Sequence, residues 1–465
     1  MLETITKINN TVNSFAWGPI MLALLVGTGI FLTCRTGWIQ VRWFGYIMKN
    51  TIGSLFAKSD KKASDGKNLS AFQAVTTALA GTVGTGNIAG VTGAIFVGGP
   101  GAVFWMWVSA FFGMCTKYSE IILAMKFRET DANGVHSGGP MYYIEKGLGK
   151  NWKFLAVIFA ILGGLASFGI GNIAQSNEIA GSLRSLFGMT PMIAGIVIAI
   201  VVAFVVLGGS QRIGQVTSYM VPFMAIFYIL AGIAVLVLRA TEIPAALVLI
   251  VKSAFSFEAV GGGMFGYAII VAMRQGFARG VFSNEAGLGS APIAHASSTT
   301  KEPTEQAIWG VFEVFIDTII ICTITGLTVI LSGILNTPGG RDAFATNGAA
   351  AAAAFNAILP GTIGGTVLQI ALLFFSLSTI LSWSFYGERC WGYLTNNNKV
   401  IMMVYKVAFI AFCIVGAVGS GKLMWDIADT LNGLMAIPNL IALLLLSGVV
   451  AAETKKYFSN LKAKK

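Results

Sequence analysis

Apolar stretches of about 20 residues, the length that crosses a hydrocarbon core, recur along the whole chain between short polar loops. They cover 17–33, 70–96, 102–126, 154–174, 192–207, 216–238, 259–277, 308–331, 362–387, 400–418 and 423–451. This pattern predicts an all-α membrane protein with about eleven transmembrane helices. Two further stretches are too short to span. Residues 243–258, with Lys252 inside, predict an outer-surface helix, and 343–358 an amphipathic cap in an outer loop.

Two spans are interrupted. Within 70–96 lies Ala80-Gly81-Thr82-Val83-Gly84-Thr85-Gly86-Asn87, whose glycines and threonines have poor helix propensity. Unwound backbone at membrane depth is tolerated only where protein or a water-filled cavity satisfies its N–H and C=O groups. Such a break offers amides at the head of its second half, which suit a carboxylate, and carbonyls at the end of its first, which suit a cation. The second interruption is Ala278-Arg279-Gly280-Val281-Phe282-Ser283-Asn284-Glu285-Ala286-Gly287-Leu288-Gly289-Ser290, which abuts 259–277 and precedes 291–298. Counted from Ser70, the broken spans are the first and sixth of ten. That spacing predicts a five-plus-five inverted repeat with two discontinuous helices. The chain then divides into a first span and basic segment (1–69), a ten-span core (halves 70–238 and 239–451) and a basic tail (452–465).

Composition narrows the class. The chain is 55% hydrophobic and 11% charged, against about a quarter charged in soluble domains, which excludes a soluble enzyme carrying an anchor. The net charge of +11 does not indicate nucleic acid, because the basic residues alternate by loop. Arg35, Arg42, Lys49, Lys58, Lys61, Lys62 and Lys67 follow the first span. Lys126, Arg128, Lys146, Lys150 and Lys153 follow the third, and Lys455, Lys456, Lys462, Lys464 and Lys465 end the chain. By the positive-inside rule these loops are cytoplasmic, which places the N-terminus outside and the C-terminus inside a cell membrane. The segment after the first span is basic and amphipathic enough to lie partly along the membrane surface. The polar stretch before residue 17 does not read as a cleavable signal, so 17–33 is expected to be retained.

Enzyme readings fail. Five scattered cysteines and two distant histidines make neither a disulfide framework nor a metal site. Gly84-x-Gly86 followed by Gly90 misses the dinucleotide spacing and follows no strand, and no phosphate-cradling Gly-Lys-Ser/Thr motif exists. No organic cofactor is expected.

Four segments together resemble the alanine or glycine:cation symporter family: Gly84-Thr85-Gly86-Asn87-Ile88-Ala89-Gly90-Val91, Gly99-Pro100-Gly101-Ala102-Val103-Phe104-Trp105-Met106-Trp107, Ser137-Gly138-Gly139-Pro140-Met141-Tyr142-Tyr143, and Arg279 through Ala291. The resemblance implies a leucine-transporter-type fold with one extra N-terminal span. It also implies sodium-coupled import of small neutral amino acids, alanine or glycine.

A zwitterion needs an anion site beside a cation-tolerant one. The amides of Thr85 and Gly86, with Thr82 and Gly84 beside them, are expected to take the carboxylate. The carbonyls of Ala80 and Val83 are expected to take sodium, a hard ion that prefers oxygen. Asn87 can serve either ligand; the competing reading of the whole segment is close glycine packing of two helices. The resemblance places the span of Ser376, Ser378 and Thr379 opposite the first break, so the Ser378 and Thr379 hydroxyls are expected to complete the sodium site, unless they only back-bond to their own helix. Gln175 can touch substrate or stitch helices. Phe277, Val281 and Trp383 are expected to wall the substrate side chain. Glu313 and Asp317, four apart on one helical face, can relay protons, bind a cation, or hold the second break by pairing with Arg279 or capping amides, with Glu285 in the same holding role. The expected function is sodium-driven symport by alternating access, with membrane lipid as surroundings; proton coupling through Asp317 or Glu313, an ion channel and a sensor of the same fold are the alternatives.

Overall fold

In the computed structural model, which describes residues 2–56, 66–255, 267–344, 346–419 and 422–463, nearly every apolar stretch is helical. Among the described residues seven helices are long and apolar enough to cross a membrane, and the bent pair Ala71–Thr82 and Gly86–Gly98 makes an eighth. The three other expected spans fall on helices that differ from that pattern for plain reasons. Gly101–Lys126 is long but carries Lys117 and Glu120, Pro191–Val206 has 16 residues, and Tyr267–Asn284 is polar along much of its length. The expected element 259–277 lies partly outside the described residues, as does the end of 243–258, observed as Ile243–Phe255.

The segment before residue 17 is itself helical, Leu2–Ala16, and Trp17-Gly18 joins it to Pro19–Arg35. Asn13 and Trp17 tie this joint to Asp429 and Thr430 on Lys422–Leu445. The cap expected over 343–358 is the helix Asn347–Ile358, whose first turn is held by the Thr346 hydroxyl accepting from Ala349 N. The last span stops at Leu445 rather than residue 451, and the expected tail is a separate helix, Ser447–Ala463. That helix packs on the others through Tyr118–Thr454 and a stacked Trp43–Phe458 pair.

The long helix Ile363–Thr395 passes between the first broken span and the elements Lys153–Phe168 and Ala174–Phe187. Where the first broken span begins and the second ends, Leu69 and Ser298 form a parallel bridge, with Leu69 N donating to Ser297 O and Thr299 N to Leu69 O. The entry to the first broken span is thus stitched to the exit of the second.

Candidate functional site

The first broken span begins with a capping box: the Ser70 hydroxyl accepts from Gln73 N, and the Gln73 side chain accepts from Ser70 N. It ends at Thr82, where Val83 turns to ψ 89°. The second half restarts with a wide π turn over Gly86–Gly90, and the two halves meet at 41°. Asn87 fixes this geometry. Its Oδ1 accepts from Gly84 N at 2.8 Å, replacing the carbonyl that an unbroken helix would supply. Its Nδ2 donates to Asp317 Oδ1 at 2.6 Å, and its carbonyl accepts from Thr325 at 2.7 Å. Asn87 therefore holds the break against the helix Pro303–Leu331 and does not line the cavity beside it.

That cavity, about 20 Å³, is walled by Gly81, Thr82, Gly84, Thr85 and Gly86 of the break, by Ile170 and Gln175, by Phe282 and Glu285, by Thr379 and Trp383, and by Asn432. It has room for about one or two waters. Three buried polar atoms on its wall, Thr85 Oγ1, Gln175 Oε1 and Asn432 Oδ1, have no partner among the described residues. Buried polar groups are nearly always paired, so these three atoms are free to receive hydrogen bonds from a polar ligand or water. Among the described residues no backbone carbonyl receives the first amides of the second half-helix, at Thr85 and Gly86.

Beside the cavity, Ala80 O accepts from Thr379 Oγ1 at 3.1 Å and Ser378 Oγ at 3.4 Å, so three oxygens from two elements converge. The same hydroxyls reach Phe375 O, so back-bonding and convergence are both present. Gly84 makes the approach possible: a Cβ there would sit 2.4 Å from Thr379 Oγ1. Gly171 does the same on the other wall, where a Cβ would lie 2.3 Å from that of Trp383. Val83 is buried off the helix end, outside the cavity wall, and Thr82 back-bonds to Leu79 O and Ala78 O. Gln175 Nε2 donates to Ile170 O, across the π turn Gly169–Ile173.

The second break is displaced from its expected place. The helix continues through Ala278–Asn284, and the unwound stretch is Glu285–Ser290, with Glu285, Gly287 and Gly289 all at positive φ. Phe277 and Val281 consequently do not wall the cavity. Phe277 packs edge-on against Trp105, Val281 O closes the last helical bond to Glu285 N, and Phe282 takes the wall position. Glu285 holds as expected, accepting from Ser290 Oγ at 2.6 Å and from Trp383 Nε1 at 3.0 Å.

The other acids hold the break differently from expectation. Arg279 pairs with Asp429, not with Glu313 or Asp317. Glu313 faces Lys117 Nζ at 3.1 Å and His295 Nε2 at 2.8 Å, with all three side chains buried. Lys117 also donates to Asn284 O at 2.9 Å, the last carbonyl before the break. The amide-capping role belongs to Glu120, which accepts from Gly287 N, Gly289 N and Asn439 Nδ2. Asp317 accepts from Asn87, Ser283 and Thr318 on a wide turn, Phe315–Cys322, and so braces the first break.

A model of the sodium:alanine symporter family matches residues 2–465. The chain belongs to that family. It is 51% identical over 450 residues to the sodium/alanine symporter AgcS of Methanococcus maripaludis, covering 96% of each. It is 45% identical over 461 residues to a transporter of Haemophilus influenzae, covering 99% of this chain and 97% of that one. Its fold is shared with the crystal structure of MhsT in complex with L-phenylalanine, at TM-score 0.56 and 13% identity, over 83% of this chain and 98% of that one. As a member of the sodium:alanine symporter family, the chain is a multi-pass membrane transporter and not an enzyme.

Several members of the site escaped the reading of the sequence. Lys117 and Glu120 sit three residues apart inside an apolar span, a signal that by itself marks function or bracing. Asn432 carries the same signal on its own span. Ile170 has none.

Proposed function

We propose that the chain is a sodium-coupled secondary symporter that imports alanine and glycine by alternating access. The observation that carries this reading is the set of unpartnered polar atoms on one small cavity at the first break, with the Ala80, Ser378 and Thr379 oxygens beside it. The Thr85 and Gly86 amides receive the substrate carboxylate, helped by the positive helix end. The Ala80, Ser378 and Thr379 oxygens, with the Val83 carbonyl, receive sodium. Trp383 and Phe282 stand on the cavity wall as bulky apolar groups that limit the size of a substrate side chain once the cavity widens to admit it, in keeping with alanine in the name of AgcS. Sodium and amino acid each raise the other's affinity, because both favour one arrangement of the break.

In this reading the chain has eleven spans, the last ten as two inverted five-span halves (70–238 and 239–451), with the N-terminus outside and the C-terminus cytoplasmic. Counterflow of labelled alanine tests the function in proteoliposomes loaded with sodium or with potassium. Saturable exchange in sodium and its loss in potassium is the expected result; equal exchange in both removes the sodium site. A second reading is proton coupling through Asp317, which is fully buried with hydrogen bonds from neutral groups only, among the described residues. It requires uptake driven by a pH gradient without sodium.

A further inference from the structure

The wide turn Phe315–Cys322 has two faces. Asp317, Thr318 and Cys322 are buried toward the first break, while Phe315 and Ile319 are only half-buried on the opposite side. Those two residues line an open groove of about 650 Å³, whose other walls include Gln40, Val41, Phe44, Val108, Phe111 and Phe112. Its volume falls in the range of small-molecule sites. Its polar wall groups are the Trp107 indole N–H, which donates to Thr323 Oγ1, and the side chain of Gln40, 3% exposed. Gln40 Nε2 donates to Thr33 Oγ1 and to Phe111 O; a carbonyl only accepts, so the amide's orientation is fixed. Gln40 Oε1 is then a buried acceptor with no partner among the described residues, which leaves the full desolvation cost of that atom unmet unless a donor arrives.

At the mouth of the groove, Val41 is 54% and Trp38 45% exposed, an arrangement suited to the membrane interface. Arg42 lies two residues from Gln40 on the turn Ile39–Arg42. Arg35, Arg42 and Lys49 are exposed, and no acid lies within ion-pair distance of them among the described residues. An apolar trough, an unmet acceptor and an exposed Arg42 next in sequence to the groove's Val41 together describe an amphiphile with a negative head and a hydroxyl. A second copy of this chain would bring the same arginine against itself.

We propose that this groove binds an anionic glycerophospholipid of the bilayer: an acyl chain along Phe315, Ile319 and Phe111, the phosphate at Arg42, and a head-group hydroxyl donating to Gln40 Oε1. Basic residues beside spanning helices attract anionic lipid heads. The lipid buttresses the outer face of the same turn whose inner face, through Asp317, holds Asn87 in the break. Occupancy of the groove and the shape of the transport site are thereby linked through one turn of helix.

Native mass spectrometry of the purified full chain tests this with added palmitoyl-oleoyl phosphatidylglycerol or phosphatidylcholine of the same chains. The expected result is one retained phosphatidylglycerol per chain, at least tenfold tighter than phosphatidylcholine. Arg42→Gln, at an exposed position, weakens retention about tenfold by removing the charge, and Val108→Trp, which fills the groove, weakens it by a similar factor. Equal retention of the two lipids, retention unchanged in both variants, or a lipid-free dimer in place of the adduct overturns the proposal.

Discussion

The two breaks in this molecule use opposite chemistry. Around Val83–Gly86 the neighbouring groups are neutral apart from Glu285 on the cavity wall and Asp317 behind Asn87, and three neutral ones on that wall have no partner among the described residues. Around Glu285–Ser290 the neighbours are charged, and nearly every one is engaged: Lys117 on Asn284 O and Glu313, Glu120 on two amides, Glu285 on Ser290 and Trp383. A buried ion must be paired, so charges are suited to bracing a fixed shape. Hydroxyls and amides can wait unpaired at a cost of about 1–3 kcal/mol each, and a polar ligand recovers that cost on arrival. In the proposed function the difference separates a break that binds from a break that is held.

The bracing side of this comparison breaks most visibly at Lys117. Lys117→Met leaves Glu313 without its buried cation and frees the Asn284 carbonyl. Removing one partner of a buried pair costs about 3–5 kcal/mol, so the variant is expected to lose most of its folded yield in detergent, read by size-exclusion and thermal unfolding. The double variant Lys117→Met with Glu313→Gln is expected to recover most of that loss. If Lys117→Met unfolds at the wild-type midpoint, the second break is not held by charge.

The binding side breaks without unfolding. Gly84→Ala places a methyl 2.4 Å from Thr379 Oγ1. Overpacking of about 1–3 kcal/mol is expected to fall on the approach of the two elements, cutting alanine uptake about tenfold or more at unchanged membrane levels. Ser378→Ala combined with Thr379→Val removes two oxygens beside Ala80 O. Its expected effect is narrower: the sodium concentration for half-maximal uptake rises about tenfold, at about 1 kcal/mol or somewhat less per lost oxygen, while the preference between alanine and glycine stays the same. A shifted preference at unchanged sodium dependence would move these hydroxyls from the ion to the substrate.

The first break was legible because glycine and threonine clustered in an apolar run weaken a helix whatever packs around them. The membrane class was legible from span length alone. The second break was misplaced by seven residues, since Arg279 and Ser283 look like loop residues in one dimension. In three dimensions Arg279 meets Asp429 and Ser283 meets Asp317, so the helix carries them without penalty. That extension also accounts for the exchange of Phe277 for Phe282 on the cavity wall. Five residues are about 140° around a helix, so the two rings face nearly opposite sides. Asn87 was found as a site residue but its task was not, because its partners Asp317 and Thr325 lie more than two hundred positions away.

The smallest effect comes from a residue near neither break. Ser70 caps the first half-helix, twelve residues before Thr82, with both bonds of its capping box formed. Ser70→Ala removes the acceptor for Gln73 N, a change that typically costs about 1 kcal/mol. That loss falls on the helix start, where Leu69 is stitched to Ser297 and Thr299, and leaves the cavity wall and the Ala80 oxygens untouched. The expected outcome is a small drop in unfolding midpoint with alanine and sodium dependence both at wild-type values. If sodium dependence moves instead, the two halves of the broken span are not independent, and the unpaired groups at the cavity are tuned by the whole helix rather than by the break.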